Sequence, residues 1–203
     1  MPVEEIEKRI RVIRMAARGV KLEHFELAAT AVLTRRRLGM TYRARYNDRT
    51  TERVVSPQRL VYYRGNWYLD GWCHAREDIR SFAVDGIQAL ALLEEKAKNV
   101  PDKDLDEVLA SGYGIFSGRT LTWAKLKFSP TAARWVAAEN WHPRQRGSFD
   151  KDGAYLLELP YSDDRELLMD ILKFGPDVEV LAPASLRRRV AGAHAAAATT
   201  IYR

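Results

Sequence analysis

The chain has 203 residues, with 33 Lys or Arg against 27 Asp or Glu, a formal charge of +6, and 46% of its residues hydrophobic. Such a length holds one large domain or two small ones, each with its own core. One cysteine, Cys73, excludes a disulfide framework and a clustered-thiol metal site, and no apolar run approaches the roughly 20 residues that cross a bilayer.

The first residues, Met1-Pro2-Val3-Glu4-Glu5-Ile6, are charged and lack an apolar core, unlike a secretory signal. Together these features point to a cytoplasmic protein. Residues 3 to 37 read as helical, because Ile6, Ile10, Val12, Ile13 and Ala17, then Leu22, Phe25, Leu27, Ala28 and Val32, recur at three- and four-residue steps. Gly19 is the expected break. Arg35-Arg36-Arg37 would place positive charge at the negative pole of the second helix.

From Met40 to Leu93 the pattern changes to short strands. Met40–Tyr46 and Arg53–Val55 flank the turn-like Asn47-Asp48-Arg49-Thr50. Arg59–Tyr63 and Trp67–His74 are joined by Arg64-Gly65-Asn66, a hairpin loop. Ile79–Val84 and Gln88–Leu93 complete the set. Period-two alternation puts Tyr68, Asp70, Trp72 and His74 on one face, opposite Trp67, Leu69, Gly71 and Cys73. A small curled sheet or barrel is expected, since closure hides strand edges. Between residues 35 and 80 there are eleven arginines, no lysine and five acids, a local excess that favours an anionic partner. A planar guanidinium suits phosphate or carboxylate, and the interleaved aromatics suit stacked bases. The same charges also fit a solvated basic face.

Residues 96 to 119 are polar and glycine-containing, with at most two helical turns at Leu105–Leu109, and read as a linker. Beyond it, Leu121–Phe128 is a strand, and Ser129-Pro130 opens a helix to about Asn140. Arg144–Phe149 and Ala154–Tyr161 form a hairpin. Asp163 and Glu166 have capping-box spacing before a helix carrying Leu167, Leu168, Ile171 and Leu172. That helix stops at Gly175-Pro176. Val178–Leu181 is a final strand, and Ser185 caps a last helix. The order β-α-β-β-α-β is that of a ferredoxin-like unit.

The lead-in Arg53 to Pro57, the triplet Trp67-Tyr68-Leu69, Arg80-x-Phe82 and Asp85-x-Ile87 together resemble the WYL domain of bacterial transcription regulators. The last third, with Trp141-His142-Pro143 after its first helix, is similar to the C-terminal extension that follows such domains. The resemblance implies an α+β chain: N-terminal linker helices at 1–37, a small SH3/Sm-like β-barrel at 38–95, a linker at 96–119 and a ferredoxin-like domain at 120–203. It implies a ligand sensor with a basic, aromatic cleft, and on that basis Arg80, Arg59, Arg53, His74 and Tyr68 are the expected ligand-binding residues. The expected partner is an anionic effector, a single-stranded DNA or RNA or a nucleotide, controlling transcription through a homodimer. Regulators of this family usually begin with a winged helix-turn-helix domain, and residues 1 to 37 are too short for one; the expectation is either a piece of a longer regulator or a sensor without its own operator-reading domain.

No phosphate-loop, nucleophile-elbow or zinc-protease motif occurs. The histidines, His24, His74, His142 and His194, lie in four different elements, so no metal or other cofactor is expected. Cys73 and His74 face opposite ways on a strand and make no catalytic pair. The expectation is therefore a non-enzymatic regulatory module. The rival reading is a structural dimerisation or partner-docking module that takes no small ligand.

Overall fold

The computed structural model describes residues 19–109, 111–115, 118 and 120–201. The helix expected over the first seventeen residues lies outside that range. The chain divides into two compact units at Val100/Pro101.

The first unit begins with α1 (Leu22–Thr34), which buries His24, Ala28 and Ala31. The helix does not run to residue 37. Arg35 takes a left-handed conformation, φ 54° and ψ 45°, as its C-cap, which stops the helix. Side-chain bonds hold Arg35 there: its guanidinium donates to the Pro57 carbonyl (3.2 Å), Gln58 Oε1 (3.2 Å) and Asn99 Oδ1 (2.7 Å). The other two arginines of the triplet already belong to a strand, and each donates to a backbone carbonyl near the far end of the sheet. Arg36 Nε reaches Leu93 O at 2.7 Å and Arg37 Nε reaches Lys96 O at 3.1 Å.

Five strands follow: β1 (Arg36–Ala44), β2 (Arg49–Tyr63), β3 (Asn66–Cys73), β4 (Asp78–Ala83) and β5 (Ile87–Lys96). They form one antiparallel sheet in the order β4-β3-β2-β1-β5. Residues 49–63 make one long strand rather than the expected two, because Ser56-Pro57 is accommodated at a bulge between Pro57 and Arg59, where proline's missing N–H is tolerated. Gly71 lies across from that bend. A Cβ there would sit 2.5 Å from Val55 Cγ1 and 2.9 Å from Ser56 O, so the approach of β2 and β3 requires glycine.

Leu38, Met40, Val55, Leu69, Cys73, Phe82, Val84 and Ile87 pack with Ala28 and Ala31 of α1 into one core. Leu69 and Cys73 are buried there, while Trp67 is half-buried at its margin. No ladder joins β4 to β5 among the described residues, so the sheet is open where a closed barrel was expected. A side chain spans the place a closing ladder would occupy: Ala83 N–H donates to Tyr42 Oη at 3.3 Å. The 3₁₀ turn Val84–Gly86 then carries the chain past the Tyr42 ring; a Cβ at Gly86 would lie 2.9 Å from it.

The second unit contains α2 (Asp102–Leu109), β6 (Thr122–Phe128), α3 (Pro130–Val136), β7 (Arg146–Phe149), β8 (Tyr155–Tyr161), α4 (Arg165–Leu172), β9 (Val178–Ala182) and α5 (Ala184–Ile201). Its antiparallel sheet has the order β7-β8-β6-β9. Ala124, Leu126 and Phe128 face the core, as their alternation predicts, with Leu157 and Leu159 of β8, Leu167 and Ile171 of α4 and Leu186 of α5. The Ser129 hydroxyl caps α3 by accepting Ala132 N–H at 3.2 Å.

Two expected caps are used otherwise. Asp163 accepts from its neighbour Arg165, and the buried Glu166 carboxylate accepts Ile115 N–H at 2.9 Å instead of turning back to its own helix. The Ser185 hydroxyl, one residue inside α5, bonds Tyr161. Trp141, from the Trp-His-Pro motif, stacks with Tyr113 (5.8 Å) and Phe174 (6.0 Å) and meets Phe128 edge-on.

Candidate anion site on the first unit

Ladder pairing defines two faces of the first sheet. One carries Leu38, Met40, Val55 and Leu69 toward α1. The other carries Gly39, Thr41 and Val54 on β1 and β2, then Ser56, Arg59, Asp70 and Trp72 further along, by the alternation of paired residues. Across β1, β2 and β5 a groove of about 520 Å³ opens, lined by small residues (Gly39, Ala89, Ala91) with Glu52, Arg53 and His74 at its polar end. Small side chains at its floor let a flat ligand approach the backbone closely.

The structure treats the five expected residues differently. Arg53 and His74 both border the groove, although Arg53 stands across from Met40 and so on the face of the sheet opposite Val54 and His74. Arg59 Nε is 3.0 Å from Asp70 Oδ2, and Asp70 is only 2% exposed rather than lying on an open face. Burial pushes the Asp70 carboxyl above the usual carboxylate range, while Ser81 across the ladder and Arg59 pull it back. Tyr68 lies two positions from Asp70 on the same face, 9% exposed, and meets the Tyr63 ring at 6.4 Å. Arg80 stands across from Gly71, one register step from the Arg59–Asp70–Ser81 row and so on the opposite face. Its side chain is 55% exposed and reaches Asp78 at 3.2 Å.

Ser56 is the hub that sequence reading missed. Fully buried, its Oγ accepts Lys98 N–H at 2.8 Å and lies 2.9 Å from His74 Nε2. With one lone pair engaged by Lys98, the hydroxyl keeps a second lone pair and its proton, so it can either donate to or accept from Nε2 according to the imidazole tautomer. Burial holds the His74 pKa below the ordinary histidine range, and the nearby Arg37 and Lys98 charges add to the effect. His74 is therefore neutral near pH 7 within a cationic neighbourhood. The partners of Ser56 are 18 and 42 positions away, which explains why local pattern did not reveal it.

A folded-state pKa below the unfolded value makes the His74 contribution to stability complete above about pH 6.5. It is lost as pH falls through the depressed value, because the unfolded chain then takes up the proton first. Urea midpoints measured from pH 7.5 down to pH 5 should fall more steeply for the native chain than for His74→Gln. Parallel curves would contradict this assignment.

Comparison with known proteins agrees with the architecture. The WYL domain model matches residues 23–92 and the WCX domain model matches residues 120–198, one in each unit. The chain belongs to the WYL-domain family. It is 33% identical over 168 residues to Protein PafC of Mycobacterium tuberculosis (strain CDC 1551 / Oshkosh), covering 82% of this chain and 51% of that protein. It is 28% identical over 146 residues to the uncharacterized HTH-type transcriptional regulator YobV of Bacillus subtilis (strain 168), covering 70% of this chain and 44% of that one. The chain thus spans about half the length of these relatives. Among solved structures, a CRISPR Cas-related protein matches 89% of this chain and 51% of its own, with a TM-score of 0.55 and 13% identity, a likeness of fold.

Proposed function

We propose that this chain is the effector-sensing module of a WYL-type transcription regulator, and that the groove at Arg53 and His74 receives an anionic effector, a single-stranded nucleic acid or a nucleotide. The observation that carries the reading is one open groove bordered by both residues, with Arg37 and Lys98 close enough to depress the histidine. Arg59, Arg80 and Tyr68 flank this site in the proposal, Arg80 as an outlying cation. Occupancy would favour one arrangement of a homodimer over another and so alter transcription through a DNA-reading part. The relative named as an HTH-type transcriptional regulator supports that last step. For the finer architecture, the strand order β7-β8-β6-β9 with helices after β6 and β8 supports a ferredoxin-like second unit. The antiparallel five-strand order β4-β3-β2-β1-β5 supports an SH3-like arrangement of the first.

The test is fluorescence anisotropy of the full chain with a labelled six-nucleotide single strand. Binding should weaken steeply between 50 and 200 mM salt, as phosphate neutralisation requires. Arg53→Ala should lower affinity at least about fivefold and flatten the salt slope by about one charge. Absence of binding by the native chain at low salt, or an affinity untouched by Arg53→Ala, would remove this assignment.

A further inference from the structure

We propose that Trp72 and Lys98 form a base-stacking gate beside the phosphate-reading groove, so that the effector is recognised by a nucleobase as well as by its charge. The inference rests on the anion-site reading above and extends it to two residues outside the groove lining. Lys98 Nζ lies 3.2 Å from the centroid of the Trp72 ring, covering that face with a cation. The backbone at this point is fixed: Lys98 N–H donates to Ser56 Oγ at 2.8 Å, and Lys98 O accepts from Gln58 Nε2 at 2.8 Å. Only the side chain is at liberty to move, and Lys98 is exposed while Trp72 is half-buried.

Trp72 sits two positions before His74, and its ladder partner is Ser56. Side chains two apart on a strand share a face and stand roughly 7 Å from each other. That separation is comparable with the reach from a nucleotide's phosphate to its base. The Lys98 backbone N–H and the groove-lining imidazole both meet one buried hydroxyl, that of Ser56. The charged groups around this point are Arg53 and Glu52 from β2, Arg37 from β1 and Lys98 itself. Arg35, the remaining nearby cation, is committed to Pro57, Gln58 and Asn99.

An ammonium over an indole is held by the ring quadrupole, and a phosphate oxygen binds it more strongly. A phosphate entering at Arg53 and His74 draws Lys98 Nζ off the ring. The uncovered indole then offers a flat face to the adjoining base, and any base will stack. A bare anion would move the lysine and leave the ring unoccupied.

The experiment compares a labelled six-nucleotide deoxyadenosine strand with an abasic strand of equal length, both titrated into the full chain. The intact strand should bind about tenfold tighter, the usual scale of one stacked base, and should quench tryptophan emission where the abasic strand does not. Trp72→Leu should abolish that ratio and leave abasic affinity unchanged. Trp72→Phe, which keeps an aromatic face, should retain most of it. Lys98→Met should weaken abasic binding and enlarge the ratio. Equal binding of the two strands by the native chain, or a ratio that survives Trp72→Leu, overturns the gate. If the abasic strand binds and is lost with Arg53→Ala, the anion site stands without the gate; if neither strand binds, both fall.

Discussion

Arg59→Ala is expected to destabilise the first unit by about 2–3 kcal/mol at neutral pH, less than the roughly 3–5 kcal/mol for breaking a fully buried ion pair because Arg59 is partly solvated. Asp70 is 2% exposed at its side chain and Arg59 35%. Removing the guanidinium leaves the carboxylate with Ser81 across the ladder and little water. The pH dependence has a definite sign. Burial already raises the Asp70 pKa above its unfolded value of 3.8, so its contribution is fully favourable below that value and is lost as pH rises through the folded pKa. Losing Arg59 raises the folded pKa further. The penalty should therefore be greatest near pH 7 and shrink on acidification toward pH 4. Arg59→Ala/Asp70→Asn should recover part of the loss at neutral pH, since no buried charge remains. Urea unfolding of the native chain and the two variants at pH 7 and pH 4.5 checks this. A single-variant penalty independent of pH would show that Arg59 acts by packing its stem and not by charge.

Phe128→Ala should cost the second unit about 3–5 kcal/mol, the usual range for deleting a buried aromatic ring. Phe128 has no exposed surface and is met edge-on by Trp141 at 5.7 Å and Phe174 at 5.1 Å. Those two rings stack on one another, so neither can collapse into the space without losing its own contact. Thermal or urea unfolding followed by tryptophan emission reads the change, because Trp141 lines the new cavity. A loss under about 1.5 kcal/mol would mean that the aromatic cluster repacks. Phe128→Leu, which keeps most of the volume, should cost less than half as much.

Strict alternation made much of the second unit legible. Leu121–Phe128 could bury only its Ala124-Leu126-Phe128 side without placing Lys125 and Lys127 in the core, and the structure buries that side. Ser129-Pro130 marked a helix start because hydroxyl and proline act locally there. Partners distant in sequence were not legible. Capping-box spacing at Asp163 and Glu166 gave the wrong partner because Ile115, 51 positions away, supplies the N–H that Glu166 accepts. Helix periodicity through Arg37 failed because the left-handed turn at Arg35 is held by residues 57, 58 and 99. In the site, the family resemblance, and not spacing, put His74, Tyr68 and Arg53 among the expected residues. The burial of Asp70, which occupies Arg59, required the bulge at Pro57–Arg59 that sets which residues lie across from each other. Ser56, lacking charge or aromaticity, gave no signal.

The guanidinium triplet at the corner of α1 and β1 has a mechanical consequence. Arg36 and Arg37 grip the carbonyls of Leu93 and Lys96, and Arg35 reaches Asn99. Three successive rivets therefore fasten the last residues of the first unit to its opening helix. A charge-neutral replacement of all three would leave the trailing segment held by its backbone bond to Arg35 O and by Ser56 and Gln58 alone.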